Sequence, residues 1–124
     1  MTDQSLATIK QEKRQLERSF DYLIHQKRRL KALEDQVLDH HDRMQDCFQE
    51  LDLISNQPQD ALFLAELREA DHRSVRLLDD DLEAMEQTLK KQEADLEEEE
   101  DRLYKAERQL YLAQEDKRRK PDES

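Results

Sequence analysis

Apolar residues recur at every seventh position in two separate runs. The first is Ile9, Leu16, Leu23, Leu30, Val37, Met44 and Leu51; the second is Val75, Leu82, Leu89, Leu96, Leu103 and Leu110. A seven-residue period held over this many turns is the pattern of a coiled coil, because it keeps one stripe of a helix facing a partner. Strands would need alternation at every second residue, with turn residues between short runs, and the chain has neither.

Each stripe has a companion row. On the first run it begins as Leu6, Lys13 and Phe20, three positions before each stripe residue. From Leu33 the apolar choice is Leu33, His40, Cys47 and Ile54, three positions after. The sequence therefore predicts that the seam changes side between Leu23 and Leu30, by a change of supercoil or of partner. On the second run the companion row is Leu78, Met85, Gln92, Glu99, Ala106 and Ala113: apolar, then polar, then small.

The two runs are separated by Ser55-Asn56-Gln57-Pro58-Gln59-Asp60. Glycine is absent, and the only other proline is Pro121. Pro58 suits the first turn of a helix, where its missing N–H costs nothing. Ser55 or Asn56 ends the first helix or caps the second. The predicted fold is all-α, a long antiparallel two-helix hairpin in one domain, 1–124. It has a helix over 3–54, a turn at 55–58, a helix over 59–118 and a short disordered tail at 119–124. A short connection favours antiparallel neighbours, and at 1.5 Å per residue the arms would be roughly 80–90 Å long. Lys117, Arg118, Arg119 and Lys120 oppose the dipole at the second helix's C-terminus.

Composition agrees with helices that need company. Of 124 residues, 43% are charged, 35% hydrophobic and 5% aromatic, too little apolar mass for a compact core and close to that of a coiled coil. Net charge is -11, which disfavours nucleic acid and anionic membrane surfaces as partners. No signal-peptide h-region and no apolar run of spanning length are visible. A single cysteine, Cys47, fits a reducing cytoplasm.

Charge also favours folding back. Residues 10–31 hold eight basic and three acidic side chains, whereas residues 79–101 hold twelve acidic and two basic ones. A hairpin centred on Gln57 lays the basic stretch along the acidic one. The same register sets Phe20, Leu23 and Ile24 opposite "KKQEA" at 90–94, which offers almost no apolar cover. With Phe63 and Leu64, just after the turn, they form the predicted partner-binding set. A partner, a second copy or another helical protein, would complete the pair into a bundle.

Constellations for chemistry are weak. His40, Met44 and Cys47 share a face as soft metal ligands would, but read more simply as seam positions. Glu69 and His72 have the spacing of di-iron bundles but face only Asp42 in the expected register. "KRRLK" at 27–31 imitates a basic zipper without the base-reading residues. No nucleophile–base–orienter set and no phosphate loop exist, so the expectation is no enzyme and no cofactor.

The hairpin resembles the LXG-associated α-helical proteins, the small partners of LXG toxins in the type VII secretion system of Gram-positive bacteria. The likeness rests on "FLAELREADHR" (63–73) and "EEDRLYKAERQL" (99–110). It implies a cytoplasmic, non-enzymatic targeting factor or chaperone. Such a factor binds the toxin's N-terminal LXG helices beside a second small helical partner, and the complex goes to the secretion apparatus, the factor being exported with it. Two pairs match export motifs in this setting: Phe48 with Asp52 as F-x-x-x-D, and Tyr111 with Glu115 as Y-x-x-x-E. The alternatives are a self-associating coiled-coil tether, including a homodimer, or a stalk-type component of a flagellar or type III export apparatus.

Overall fold

The computed structural model describes residues 5–119. Two helices account for nearly all of them: α1, Leu6–Ile54, and α2, Pro58–Arg119. They pack against each other as an antiparallel hairpin, with no strand among the described residues. The reversal is confined to residues 55–57, and Pro58 is the first residue of α2 rather than the last of the turn. The first helix starts later than the predicted residue 3, since Ser5 precedes α1, and Arg119, placed in the predicted tail 119–124, is the last residue of α2; residues 3, 4 and 120–124 lie outside the described residues.

Local chemistry explains the boundaries. The Ser5 hydroxyl accepts a hydrogen bond from the Thr8 N–H at 3.2 Å, and the Ser5 carbonyl accepts from Ile9 N at 3.1 Å. Ser5 is therefore the N-cap of α1. At the other end the Ser55 hydroxyl donates to the Leu51 carbonyl at 2.6 Å, satisfying an acceptor that the helix would otherwise leave open. The Gln57 carbonyl accepts from Asp60 N at 3.0 Å and Ala61 N at 3.3 Å. Helix α2 thus opens at once, with Pro58 in the position where proline is tolerated and Asp60 in the first turn opposing the dipole.

Packing forms two compact units, each drawing on both helices: a terminal unit, from α1 up to His25 and α2 from Leu89 onward, and a turn unit, Gln26–Thr88. In the terminal unit the core is Ile9, Leu16, Leu23 and Leu103, of which Ile9 and Leu103 are fully buried. Burial of such a side chain contributes about 1.5–3 kcal/mol. In the turn unit Leu30, Phe48 and Leu64 are buried, and Val37, Met44, Leu51, Val75 and Leu82 are half-buried.

Both seven-residue stripes therefore lie in the seam, but the companion row of α1 does not change side. Lys27, three positions before Leu30, is exposed, but past Leu30 the row resumes as Glu34, His41 and Phe48, each half-buried or buried and three positions before a stripe residue, with half-buried Ser55 one heptad further on. Leu33, His40, Cys47 and Ile54 are exposed. Hydropathy alone misplaces the seam here because the row outside it carries more apolar side chains than the row within it.

A second correction concerns Leu23. It is 3% exposed and lines a shallow groove with Leu96, Asp95 and Gln92. The antiparallel register sits a few residues beyond the one centred on Gln57, so Leu23 shares its groove with Leu96 as well as with Gln92 of the "KKQEA" run and gains apolar cover that the run alone does not offer. Cross-helix ion pairs run both ways in the terminal unit. Lys13 pairs with Glu107 in the basic-on-acidic sense, whereas Arg102 of α2 reaches Glu12 of α1 at 3.3 Å.

Candidate partner-binding surface

The two sides of the seam in the turn unit differ in character. One is marked by a groove that Glu34, Leu38 and His41 of α1 share with Asp79, Glu83 and Glu86 of α2. Its floor is Val37, Val75 and Leu82. This side is acidic. The His41 Nδ1 is shielded from solvent here and has no hydrogen-bond partner. Nearer the turn, Arg68 pairs with Asp52 and lies over the Phe48 ring, 5.7 Å from its centroid.

Helical periodicity places the other rows on the opposite side. On α1, Leu33, His40, Cys47 and Ile54 flank the stripe away from Glu34 and His41; on α2, Leu78 and Met85 flank it away from Asp79 and Glu86. Because the acidic flanks of the two helices meet in one groove, the remaining flanks meet on the other side. Leu67 lies next round α2, and beyond it is a row not recognised in the sequence: Phe63, Ala70, Leu77 and Ala84, spaced by sevens and all exposed. Phe63 and Leu77 keep 62% and 67% of their surface in water. Half of that row is alanine, so hydropathy gives it little weight; its seven-residue spacing was the available signal.

The predicted partner-binding residues separate on this map. Phe63 is exposed on the outer face of α2, away from the seam, and Ile24 is exposed in the terminal unit. Phe20 is half-buried, and Leu23 and Leu64 are covered within the chain. Of the motif pairs, Phe48 is 3% exposed and Asp52 is engaged by Arg68, so the chain's own packing uses both. Tyr111 and Glu115 are both exposed near the end of α2.

His40 and Cys47 lie outside the seam, and only Met44 of that trio is half-buried. Among the described residues no group of three or more His, Cys, Asp or Glu side chains is placed to hold a metal ion. No helix among them is long and apolar enough to cross a membrane. In the terminal unit Arg102 grips Glu99 through Nε at 3.1 Å and through Nη2 at 2.5 Å. Those hydrogen bonds hold the Glu99 carboxyl below the ordinary carboxylate range and raise the already high pKa of Arg102.

No protein-family model matches the chain, and no curated protein or solved structure matches it.

Proposed function

We propose that this chain is a non-enzymatic helical adaptor that binds the N-terminal helical region of an LXG-type toxin and accompanies it to a type VII secretion apparatus. The observation that supports a binding role is the apolar side of the turn unit. A pair of helices buries one seam, yet here a second apolar row on α2 and a flank of α1 stay in water. Exposed apolar rows of this kind mark an interaction site, and side chains spaced by sevens fit the grooves of another helix. The choice of client comes from the resemblance of 63–73 and 99–110, and Phe63 and Leu77 extend the first of these phrases into the surface. Tyr111 and Glu115, exposed together on one helix face, suit reading by a receptor once the client is bound.

Co-expression with an LXG N-terminal helical region tests the proposal. Phe63→Glu with Leu77→Glu is expected to abolish capture while leaving the far-ultraviolet circular dichroism unchanged, since both side chains are already in water. Tyr111→Ala is expected to leave capture intact and to stop export of the client. Wild-type capture by the double variant would remove this surface from the reading, and wild-type export with Tyr111→Ala would reduce the second pair to chance.

A further inference from the structure

The acidic side of the turn unit is a groove whose charges the hairpin does not use. Its floor is Val37 of α1 with Val75 and Leu82 of α2, each only half-buried. Leu38 stands on its rim and is 61% exposed. The walls carry Glu34 from α1 and Asp79, Glu83 and Glu86 from α2, and no lysine or arginine lines it. Glu34, Asp79 and Glu83 close no ion pair among the described residues. Asp52, nearer the turn, is the contrast: Arg68 of the opposite helix engages it.

A groove of this form is where a third helix packs on a helical pair. Along α2 it runs from Val75 to Glu86, about 16 Å or three turns. A helix laid there would set apolar side chains, spaced three and four apart, onto Val37, Leu38, Val75 and Leu82. The positions beside that stripe would face the carboxylates, and flanking charges decide which helices pair. Acidic or uncharged flanks would strip water from Glu34, Asp79 and Glu83 and leave them unpaired, which is costly. Lysine or arginine there meets each with an opposite charge. The His41 Nδ1, shielded from solvent and without a hydrogen-bond partner, offers the incoming helix a further polar contact.

A second copy of this chain is a poor source of that helix. Its basic stretch, 10–31, has its apolar stripe in its own seam, where Leu16, Leu23 and Leu30 are 3% to 8% exposed. Presenting that stripe to a neighbour would open the hairpin.

We infer that the groove is a docking site for an amphipathic helix of another protein, apolar on one stripe and basic on both flanks. The groove lies on the side of the seam opposite Leu33 and Leu78, so this site stands or falls apart from the surface assigned to the client. The net charge of -11 draws a cationic partner in from a distance, and binding weakens as salt screens it.

The probe is a synthetic peptide of about three heptads with leucine at a and d and lysine at e and g, whose lysines keep it from pairing with itself. Titration calorimetry with the full chain should give one peptide per chain. A scrambled peptide of the same composition should bind at least about tenfold more weakly, because it has no stripe. Glu34→Gln, Asp79→Asn and Glu83→Gln together should weaken binding on the order of tenfold or more. The same change of charge in the terminal unit, Glu97→Gln, Glu98→Gln and Glu100→Gln, should alter it by less than about twofold. Leu38→Ser should weaken it by about tenfold. Circular dichroism should be unchanged in all these chains, since the replaced side chains are in water or unpaired. A benzophenone in place of a central leucine of the peptide should label the groove and not Phe63 or Leu77. Equal binding of the scrambled peptide, or equal losses from the two triple variants, would reduce the effect to bulk charge and overturn the inference. Self-association of the full chain that the groove triple abolishes would make a second copy the occupant and overturn the choice of a foreign helix. Phe63→Glu with Leu77→Glu should leave peptide binding intact; client capture lost in that variant while the peptide still binds supports two separate sites, and peptide binding lost with it overturns the groove.

Discussion

Arg68 is shared between two side chains of the opposite helix: it lies over the Phe48 ring, 5.7 Å from the centroid, and closes an ion pair with Asp52. Phe48 and Asp52 are four residues apart on one face of α1, so a single guanidinium from α2 covers both. An aromatic–acid pair at this spacing is what a docking motif would present, and here the fold itself occupies it. Phe48→Ala should lower the stability of the turn unit by about 3–5 kcal/mol, the usual range for emptying a buried aromatic site. Asp52→Asn should change it by about 0–1 kcal/mol, because the pair is half-exposed. Urea melts followed by circular dichroism separate the two. Equal, small effects would mean that Phe48 is not a packing residue.

Leu23 carries the second prediction. Its burial against Leu96 makes Leu23→Glu a charge placed in the seam without a partner, which is among the more damaging single changes. The terminal unit should lose its protease resistance at temperatures where the parent is intact. Ile24→Glu, one residue on and already 48% exposed, should leave it unchanged. Equivalent behaviour of the two variants would argue against the Leu23–Leu96 register.

A pH dependence follows from Glu99. Its carboxyl is held below the ordinary value of 4.5 by the hydrogen bonds from Arg102, with burial a smaller opposing effect. A group whose pKa is lowered by folding adds stability above its unfolded pKa and loses it as pH falls through the folded value. Glu99 should therefore support the terminal unit at neutral pH and progressively less from about pH 4.5 downward. Arg102 stays charged throughout that range and adds no slope of its own. Glu99→Gln should melt earlier than the parent at neutral pH, and the difference should close in acid. A gap that is constant with pH would remove the ion pair from the account.

The N-cap gives a local prediction. Ser5→Ala removes the acceptor for the Thr8 N–H and should cost about 1 kcal/mol. Hydrogen exchange at Thr8 and Ile9 should accelerate, with little change at Leu30 or beyond. Uniform acceleration along α1 would show that the cap is not a local element.

Much of the fold is legible in the sequence because a seven-residue stripe and a single proline have few structural solutions. Ile9, Leu16, Leu23 and Leu30 are buried as their spacing demands. The companion row is where hydropathy misleads. Glu34, His41 and Ser55 lie in or beside the seam with Phe48, while Leu33 and Ile54 lie outside it. Composition favours the row with more leucine-like residues; the backbone favours the row that keeps heptad phase with Leu6, Lys13 and Phe20. The register needed the length of the turn, three residues, which no propensity fixes. The exposed row of α1 needed the first correction, since Leu33 and Ile54 stand out as uncovered only once they are moved out of the seam.

The tightness of the reversal has a consequence for how such a chain tolerates changes of length. Residues 55–57 leave no slack: Ser55 is tied back to Leu51 and Gln57 already begins α2. One residue added to either arm would turn every later side chain on that helix by about 100° and carry the stripe out of the seam. Seven residues removed from one arm would keep the stripe but slide each acid and base past its counterpart. Only a matched deletion, seven from each arm at the same level, preserves both phase and register. Viable length variants of this chain should therefore differ by multiples of fourteen residues, taken equally from the two helices.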